Sequence, residues 1–92
     1  MEIGHEVRYV HYEEFQQKAQ EKKIIYRIPH AELIEGIANG KTTYFITVHY
    51  HNSSGANIEV QPEAWKEIIK RIKDRDDDSL WQLLNSWGIY RR

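Results

Sequence analysis

Cysteine is absent from this chain of 92 residues. Disulfide bonds, thiolate catalysis and cysteine-ligated zinc are therefore excluded, and a reducing cytosol is compatible with the composition. The opening stretch, MEIGHEVRYV, carries charges and no apolar segment, so we expect no signal peptide. No apolar run approaches the length that spans a membrane, so we expect a cytoplasmic protein without a membrane partner.

An excess of charge of either sign is also missing. Thirteen lysine and arginine residues nearly balance fourteen aspartate and glutamate residues, which gives a formal net charge of −1. A protein that coats nucleic acid through its overall charge is usually more basic. Aromatic residues, in contrast, make up 12% of the chain, and such rings either fill a core or anchor an interface.

The sequence contains neither a nucleophile motif nor a glycine-rich phosphate loop. Its serines occur in turn, cap or helix-surface contexts rather than in an elbow motif. No pair of carboxylates lies in an apolar stretch, which would be needed to separate the pKa values of a catalytic acid and base. An enzyme is therefore the less economical interpretation, and no cofactor is expected.

Hydrophobic periodicity predicts a single α+β domain over residues 1–92. Stretches that alternate, or that are rich in β-branched and aromatic residues, predict strands over 6–12, 24–28, 42–51 and 57–60. Stretches with apolar residues three and four apart predict helices over 12–23, 62–75 and 79–87. The expected fold is a small antiparallel sheet of four to five strands, with one N-terminal helix and two C-terminal helices packed on its apolar face.

Residues 30–38 allow two interpretations. The Asn39-Gly40 pair between two apolar runs favours a β-hairpin, because both turn residues tolerate positive φ. Alternatively, the apolar residues of 30–38 would share one face of a helix that Gly40 caps. Gly36 inside that helix would cost about 1 kcal/mol relative to alanine, so we favour the hairpin.

Counting outward from a two-residue turn pairs Ala38 with Lys41 and places His30 opposite His49, with His51 on the same face. Three neighbouring imidazoles could bind a divalent metal, or act as acid and base near neutral pH. The same pattern also fits a solvated polar face of a half-buried sheet, and we favour that explanation. The apolar face of the hairpin would then pack on the helix at 62–75.

A row of basic residues provides a candidate partner surface. Lys66, Lys70 and Lys73 share one face of the helix at 62–75 and, with Arg91 near the chain end, could follow a phosphate backbone. The alternative is an exposed face stabilised by ion pairs with neighbouring acidic residues, at a few tenths of a kcal/mol each.

Trp81 is a second candidate partner residue, because it lies at the edge of the apolar stripe of the last helix. An exposed tryptophan often anchors a partner. Burial of that helix on two sides would instead make Trp81 a core residue, and the sequence supports both interpretations.

These observations favour a small non-enzymatic module that binds another macromolecule, with a protein as the preferred partner. Such a module could be an inhibitor, an adaptor or a regulatory subunit, and a homo-oligomer is compatible with it. The alternative is a nucleic-acid-binding domain that uses the basic helix. A metal-dependent hydrolase on the histidine face is the third hypothesis.

Overall fold

Strands and helices account for most of residues 6–49 and 55–89, the part of the chain that the computed structural model describes. In chain order the elements are β1 (Val7–Val10), α1 (Tyr12–Lys18), β2 (Glu21–Ile28), β3 (Ala31–Ala38), β4 (Lys41–His49), β5 (Gly55–Val60), α2 (Pro62–Lys73) and α3 (Asp77–Ser86). The five strands form one antiparallel sheet in the order β1-β5-β4-β3-β2. The predicted α+β fold is confirmed.

The hairpin interpretation of residues 30–38 is also confirmed. Ala38 pairs with Lys41, and the turn residues Asn39 and Gly40 have φ angles of 55° and 75°. Positive φ at both positions matches the right-handed twist of the strands that such a turn joins. The helical alternative is wrong, because cross-strand pairing continues along the whole of β3 on both of its edges.

A second tight turn joins β2 to β3 and contains the first of the three predicted histidine ligands. Ile28 pairs with Ala31, so Pro29 and His30 are the two central residues. The proline ring presets φ at the first position, and His30 has a φ of 69° at the second, a combination typical of a type II turn. His30 therefore lies in a turn rather than within the strand where the sequence placed it.

Helix α1 is shorter and strand β2 longer than predicted. The helix ends at Lys18, and the chain already pairs with β3 at Glu21 and Lys22. In this segment glutamates precede lysines, which also favours a helix, but each such pair is worth only a few tenths of a kcal/mol. Backbone pairing with β3 satisfies donors and acceptors along the whole segment, so the tertiary contact prevails over the local preference.

One face of the sheet packs on α2 and α3, and this interface is the main core. Trp65 of α2 stacks on Tyr44 of β4 with ring centroids 4.9 Å apart. Fully buried side chains from β4 and α2, such as Ile46 and Ile68, surround this pair. The predicted packing of the C-terminal helices on the apolar face is confirmed.

Helix α3 begins at Asp77, two residues before the predicted start at residue 79. Its N-cap is Asp76, whose Oδ1 accepts a hydrogen bond of 3.0 Å from the backbone N–H of Ser79. The helix ends at Ser86, one residue before the predicted end, and Gly88 beyond it has a φ of 86° while the N–H of Ile89 donates to the carbonyl of Leu84.

The opposite face of the sheet carries a second, smaller core beneath α1. Phe15 and Ala19 pack there on Ile34 and Phe45, and the two phenylalanine rings meet edge to face at 4.9 Å. The expectation that this face is simply polar and solvated is therefore wrong. No helix among the described residues is long and apolar enough to span a membrane.

Candidate binding groove

Helix α1 covers only part of its face of the sheet, because seven residues span about 10 Å. The uncovered part forms a groove of about 530 Å³ between α1 and strands β2–β5, here called the α1 groove. Among the described residues, a wider depression of about 800 Å³ is lined only by α1 and its N-cap residue His11, so no second described element forms an opposing wall. The α1 groove has walls from several elements, as ligand sites in proteins usually do.

The apolar half of the α1 groove combines a buried floor with an exposed rim. Phe15 and Ile34 form the floor and are nearly inaccessible to solvent. Tyr12 and Ile24 form the rim, with 60% and 43% of their surface exposed. Among the described residues, they are the most exposed of the large hydrophobic side chains. Single exposed apolar side chains are ordinary, whereas here two of them lie on the rim of one groove.

The polar half of the α1 groove is built from strands β3, β4 and β5. Glu32 Oε2 forms an ion pair with Arg27 Nε at 2.9 Å, and Glu32 Oε1 lies 3.6 Å from His49 Nε2. Thr47 Oγ1 donates a hydrogen bond of 2.9 Å to Asn57 Oδ1. These groups can offer oriented hydrogen bonds beside an apolar floor, which is the usual composition of a specific binding site.

Lys22 lies on the rim of the α1 groove beside Ile24. Its Nζ is 5.3 Å from the centroid of the Phe15 ring, a cation–π contact worth about 0.5–1 kcal/mol at an exposed site. No carboxylate in the described ranges lies within ion-pair distance of this ammonium group. The next residue, Lys23, pairs with Glu35 across the strands, so its side chain projects from the opposite face.

An ion-pair network holds α1 in place as the wall of the groove. Arg8 of β1 pairs with Glu14 of α1, and also with Glu59 of β5 at 2.8 Å. Lys18 of α1 pairs with the same two carboxylates at 3.0 and 2.9 Å. The N-cap residue of α1, His11, makes no side-chain capping bond. The ion-pair network and the packing of Phe15 are therefore the contacts that hold α1 in position.

The network changes the protonation equilibria of Glu14 and Arg8. The hydrogen bond from Arg8 is the main reason that the pKa of Glu14 lies below its ordinary value, and Lys18 lowers it further. The same bond to Glu14 is the main reason that the pKa of Arg8 is raised. Both groups therefore stay charged over a wider pH range than they would in the unfolded chain.

The structure brings two of the three predicted histidine ligands together at one end of the sheet. The backbone N–H of His49 donates a hydrogen bond of 2.8 Å to the carbonyl of His30. His51 lies outside the described residues. Within residues 6–49 and 55–89, no group of three or more histidine, aspartate or glutamate side chains could hold a metal ion.

Trp81 is a core residue, and the expectation that it is exposed to a partner is wrong. Its side chain is 3% exposed and belongs to the main core between α3 and the sheet. The apolar stripe of α3 is wide because this helix contacts both α2 and the sheet, so Trp81 at the edge of the stripe is covered as well.

The predicted basic row occupies the exposed side of α2, away from the main core. Lys66, Lys70 and Lys73 are all exposed, as the helical period predicts, and Arg91 lies outside the described residues. Glu67 pairs with Arg71 at 3.2 Å rather than with a lysine of the row. In the described part of the chain, the three lysines form no ion pairs.

Comparison with models of protein families, with curated proteins and with solved structures finds no significant match to this chain. The α1 groove was not predicted from the sequence. A signal for it exists in the sequence, because Leu33-Ile34 and Phe45-Ile46 are adjacent apolar pairs in paired strands. Adjacent apolar residues in a strand place one side chain on each face, which indicates a sheet covered on both sides.

Proposed function

We propose that this protein is a small binding module without catalytic activity, and that the α1 groove receives a segment of another protein. The observation that carries this proposal is the convergence of exposed and buried apolar side chains at one place. Tyr12 and Ile24 are exposed at the rim, directly beside the apolar floor formed by Phe15 and Ile34. Interfaces are usually built from a few such apolar anchors surrounded by polar groups.

The polar groups of the groove support binding rather than catalysis. Glu32 is engaged by Arg27, and Thr47 is engaged by Asn57. The side chain of His49 is 58% exposed, so it is well solvated. Catalytic acids and bases usually lie in enclosed settings that shift their protonation, whereas these groups are paired and open to water.

The first experiment identifies a partner and then measures its dependence on the groove. Tagged protein is used as bait in an extract of its native host, and the affinity of each co-purifying protein is measured with purified components. The variant Ile24→Lys should lower the affinity for a true partner by about 30-fold, as expected for loss of an apolar anchor worth about 2 kcal/mol. Because Ile24 is partly exposed, the variant should keep its fold, which circular dichroism can verify.

The matched control is Lys23→Glu, which changes the neighbouring surface on the opposite face of the same strand. It should leave the affinity unchanged. A partner that binds wild type and Ile24→Lys equally tightly would show that the α1 groove is not the binding site, and the proposal would then fail.

Nucleic-acid binding is the second candidate function. The observation in its favour is that Lys66, Lys70 and Lys73 are exposed together and, among the described residues, have no ion-pair partner. Against it, the acidic residues 76–78 follow the same helix and would repel a phosphate backbone.

A further inference from the structure

We infer that the segment bound in the α1 groove carries a carboxylate two residues from an apolar side chain. This inference rests on the proposed function and names the chemistry of the partner. Two independent observations lead to it, the charge balance of the α1 face and the geometry of strand β2.

The charge balance of this face leaves two strand cations without a carboxylate, and one of them, Lys22, lies at the α1 groove. The two strand carboxylates on the α1 face already have cationic partners, since Glu59 pairs with Arg8 and Glu32 pairs with Arg27. In the described ranges, Lys22 and Lys41 are the strand cations of this face that have no ion pair, and of the two Lys22 is the one that lines the α1 groove. Because it lies on the rim of an apolar groove, a carboxylate placed against it would be complementary in charge.

The geometry of β2 sets the spacing between the two recognition elements. Lys22 and Ile24 are two residues apart on one side of the strand, which separates them by about 6.6–6.8 Å. An extended partner segment has the same repeat, so its side chains at positions i and i+2 can meet the ammonium group and the apolar rim at once. The ammonium group now rests on the Phe15 ring, a weaker contact than a charge-assisted hydrogen bond, so it can turn toward a carboxylate.

The position of β2 leaves this pair accessible to such a segment. Strand β2 is an edge of the described sheet, so a partner can approach Lys22 and Ile24 from the open side. The register shift between Ile24 and Tyr26, together with the two neighbouring lysines, disfavours the addition of a regular strand to this edge. Recognition should therefore depend on side chains in the groove rather than on a continued backbone ladder.

The test is a selection of random decapeptides displayed on phage, carried out on wild type, Lys22→Glu and Lys23→Glu in parallel. Wild type and Lys23→Glu should select peptides with aspartate or glutamate two positions from an aliphatic or aromatic residue. Lys22→Glu should instead select lysine or arginine at that position. A peptide selected on wild type should bind Lys22→Glu about tenfold more weakly and Lys23→Glu with unchanged affinity.

The outcomes separate this inference from the proposed function. Selected peptides that lose binding on Ile24→Lys but show no preference for carboxylates would overturn the inference and leave the protein-binding groove in place. If none of the selected peptides depended on Ile24, the proposed function would fail as well. Decanoate, a free amphipathic carboxylate, is the remaining probe. Its Lys22-dependent binding, without any selected peptide, would assign the groove to a small molecule and overturn both.

Discussion

Gly36 of β3 lies directly beneath Ala19 at the end of α1. A Cβ atom added to Gly36 would lie 2.7 Å from the Cβ of Ala19 and 3.1 Å from the carbonyl oxygen of Lys18. Carbon atoms in contact normally stay about 3.5–4.0 Å apart. The end of α1 can therefore rest on the sheet only because residue 36 has no side chain.

We expect Gly36→Ala to destabilise the protein by about 1–3 kcal/mol, because the added methyl group must displace the end of α1. Urea unfolding measures the change. Ala19→Gly in the same chain should restore part of the loss, since it removes the atom that would clash. Unchanged stability of Gly36→Ala would show that the helix end is not held against the strand.

Trp65→Ala and Trp81→Ala should each destabilise the fold by about 3–5 kcal/mol, because both indole rings are buried in the main core. Thermal unfolding of the two variants measures this. Tyr12→Ala, which changes an exposed ring at the groove, should cost less than about 1 kcal/mol. A mild effect of Trp81→Ala beside a severe effect of Trp65→Ala would contradict the burial of Trp81.

Stability should decrease in acid through Glu14. Because its pKa is lowered in the folded state, chiefly by Arg8, its contribution is fully present above about pH 4.3, the ordinary value for glutamate. The contribution is lost as the pH falls through the lowered pKa of the folded state. The difference in unfolding free energy between wild type and Glu14→Gln should therefore be constant near neutral pH and shrink below about pH 4.3.

The matched control for this measurement is Glu13→Gln, a change in the same helical turn at an exposed residue without an ion pair in the described structure. The unfolding free energy of Glu13→Gln should differ little from that of wild type at every pH. A Glu14→Gln difference that persists unchanged at pH 3 would show that Glu14 does not stabilise the fold as a charged group.

Single-stranded oligonucleotides should not bind measurably at physiological salt, because the net charge is −1 and acidic residues flank the basic row. Fluorescence anisotropy across a salt series measures this. A tight complex would instead support the second candidate function. Neutralising Lys66, Lys70 and Lys73 should then reduce the slope of log affinity against log salt by about 2–3.

Zinc or nickel should leave the melting temperature unchanged. A site formed by His30, His49 and His51 would stabilise the fold by about 2.7 kcal/mol at a hundredfold excess over Kd, a shift of roughly 10 °C or more. His30 lies in the turn between β2 and β3, and among the described residues no three potential ligands converge as a tetrahedral ion requires. A metal-induced shift that each of the three single alanine variants abolishes would restore the hydrolase hypothesis.

Local signals in the sequence were enough to predict the hairpin and the helix that packs on the main core. Backbone sterics at Asn39 and Gly40 determine the turn between β3 and β4, and the apolar stripe of α2 follows directly from the helical period. The border between α1 and β2 could not be predicted in this way. Residues after Lys18 have weak local preferences, and pairing with β3, a contact between distant segments, decides their conformation.

The candidate site depended still more on contacts between distant segments. Spacing was enough to predict the exposed lysines of α2, because their exposure follows from the period of one helix. The groove is different, since it exists only where a short helix leaves part of a sheet uncovered. Ile24, Ile34 and Phe15 come from three separate elements, and packing alone brings them together.

The sequence by itself determined which segments form the sheet and which face of α2 is buried, because backbone sterics and hydrophobic periodicity act over a few residues. Only the tertiary structure decided that α1 lies on the second face, that Trp81 is buried and that Lys22 borders an apolar groove. Those outcomes depend on strand register and on packing, and the position of α1 also depends on the ion pairs of Glu59 with Arg8 and Lys18, which join residues far apart in the chain. No short stretch of the sequence shows which distant residues will make such contacts, so the α1 groove forms only when the elements are packed together.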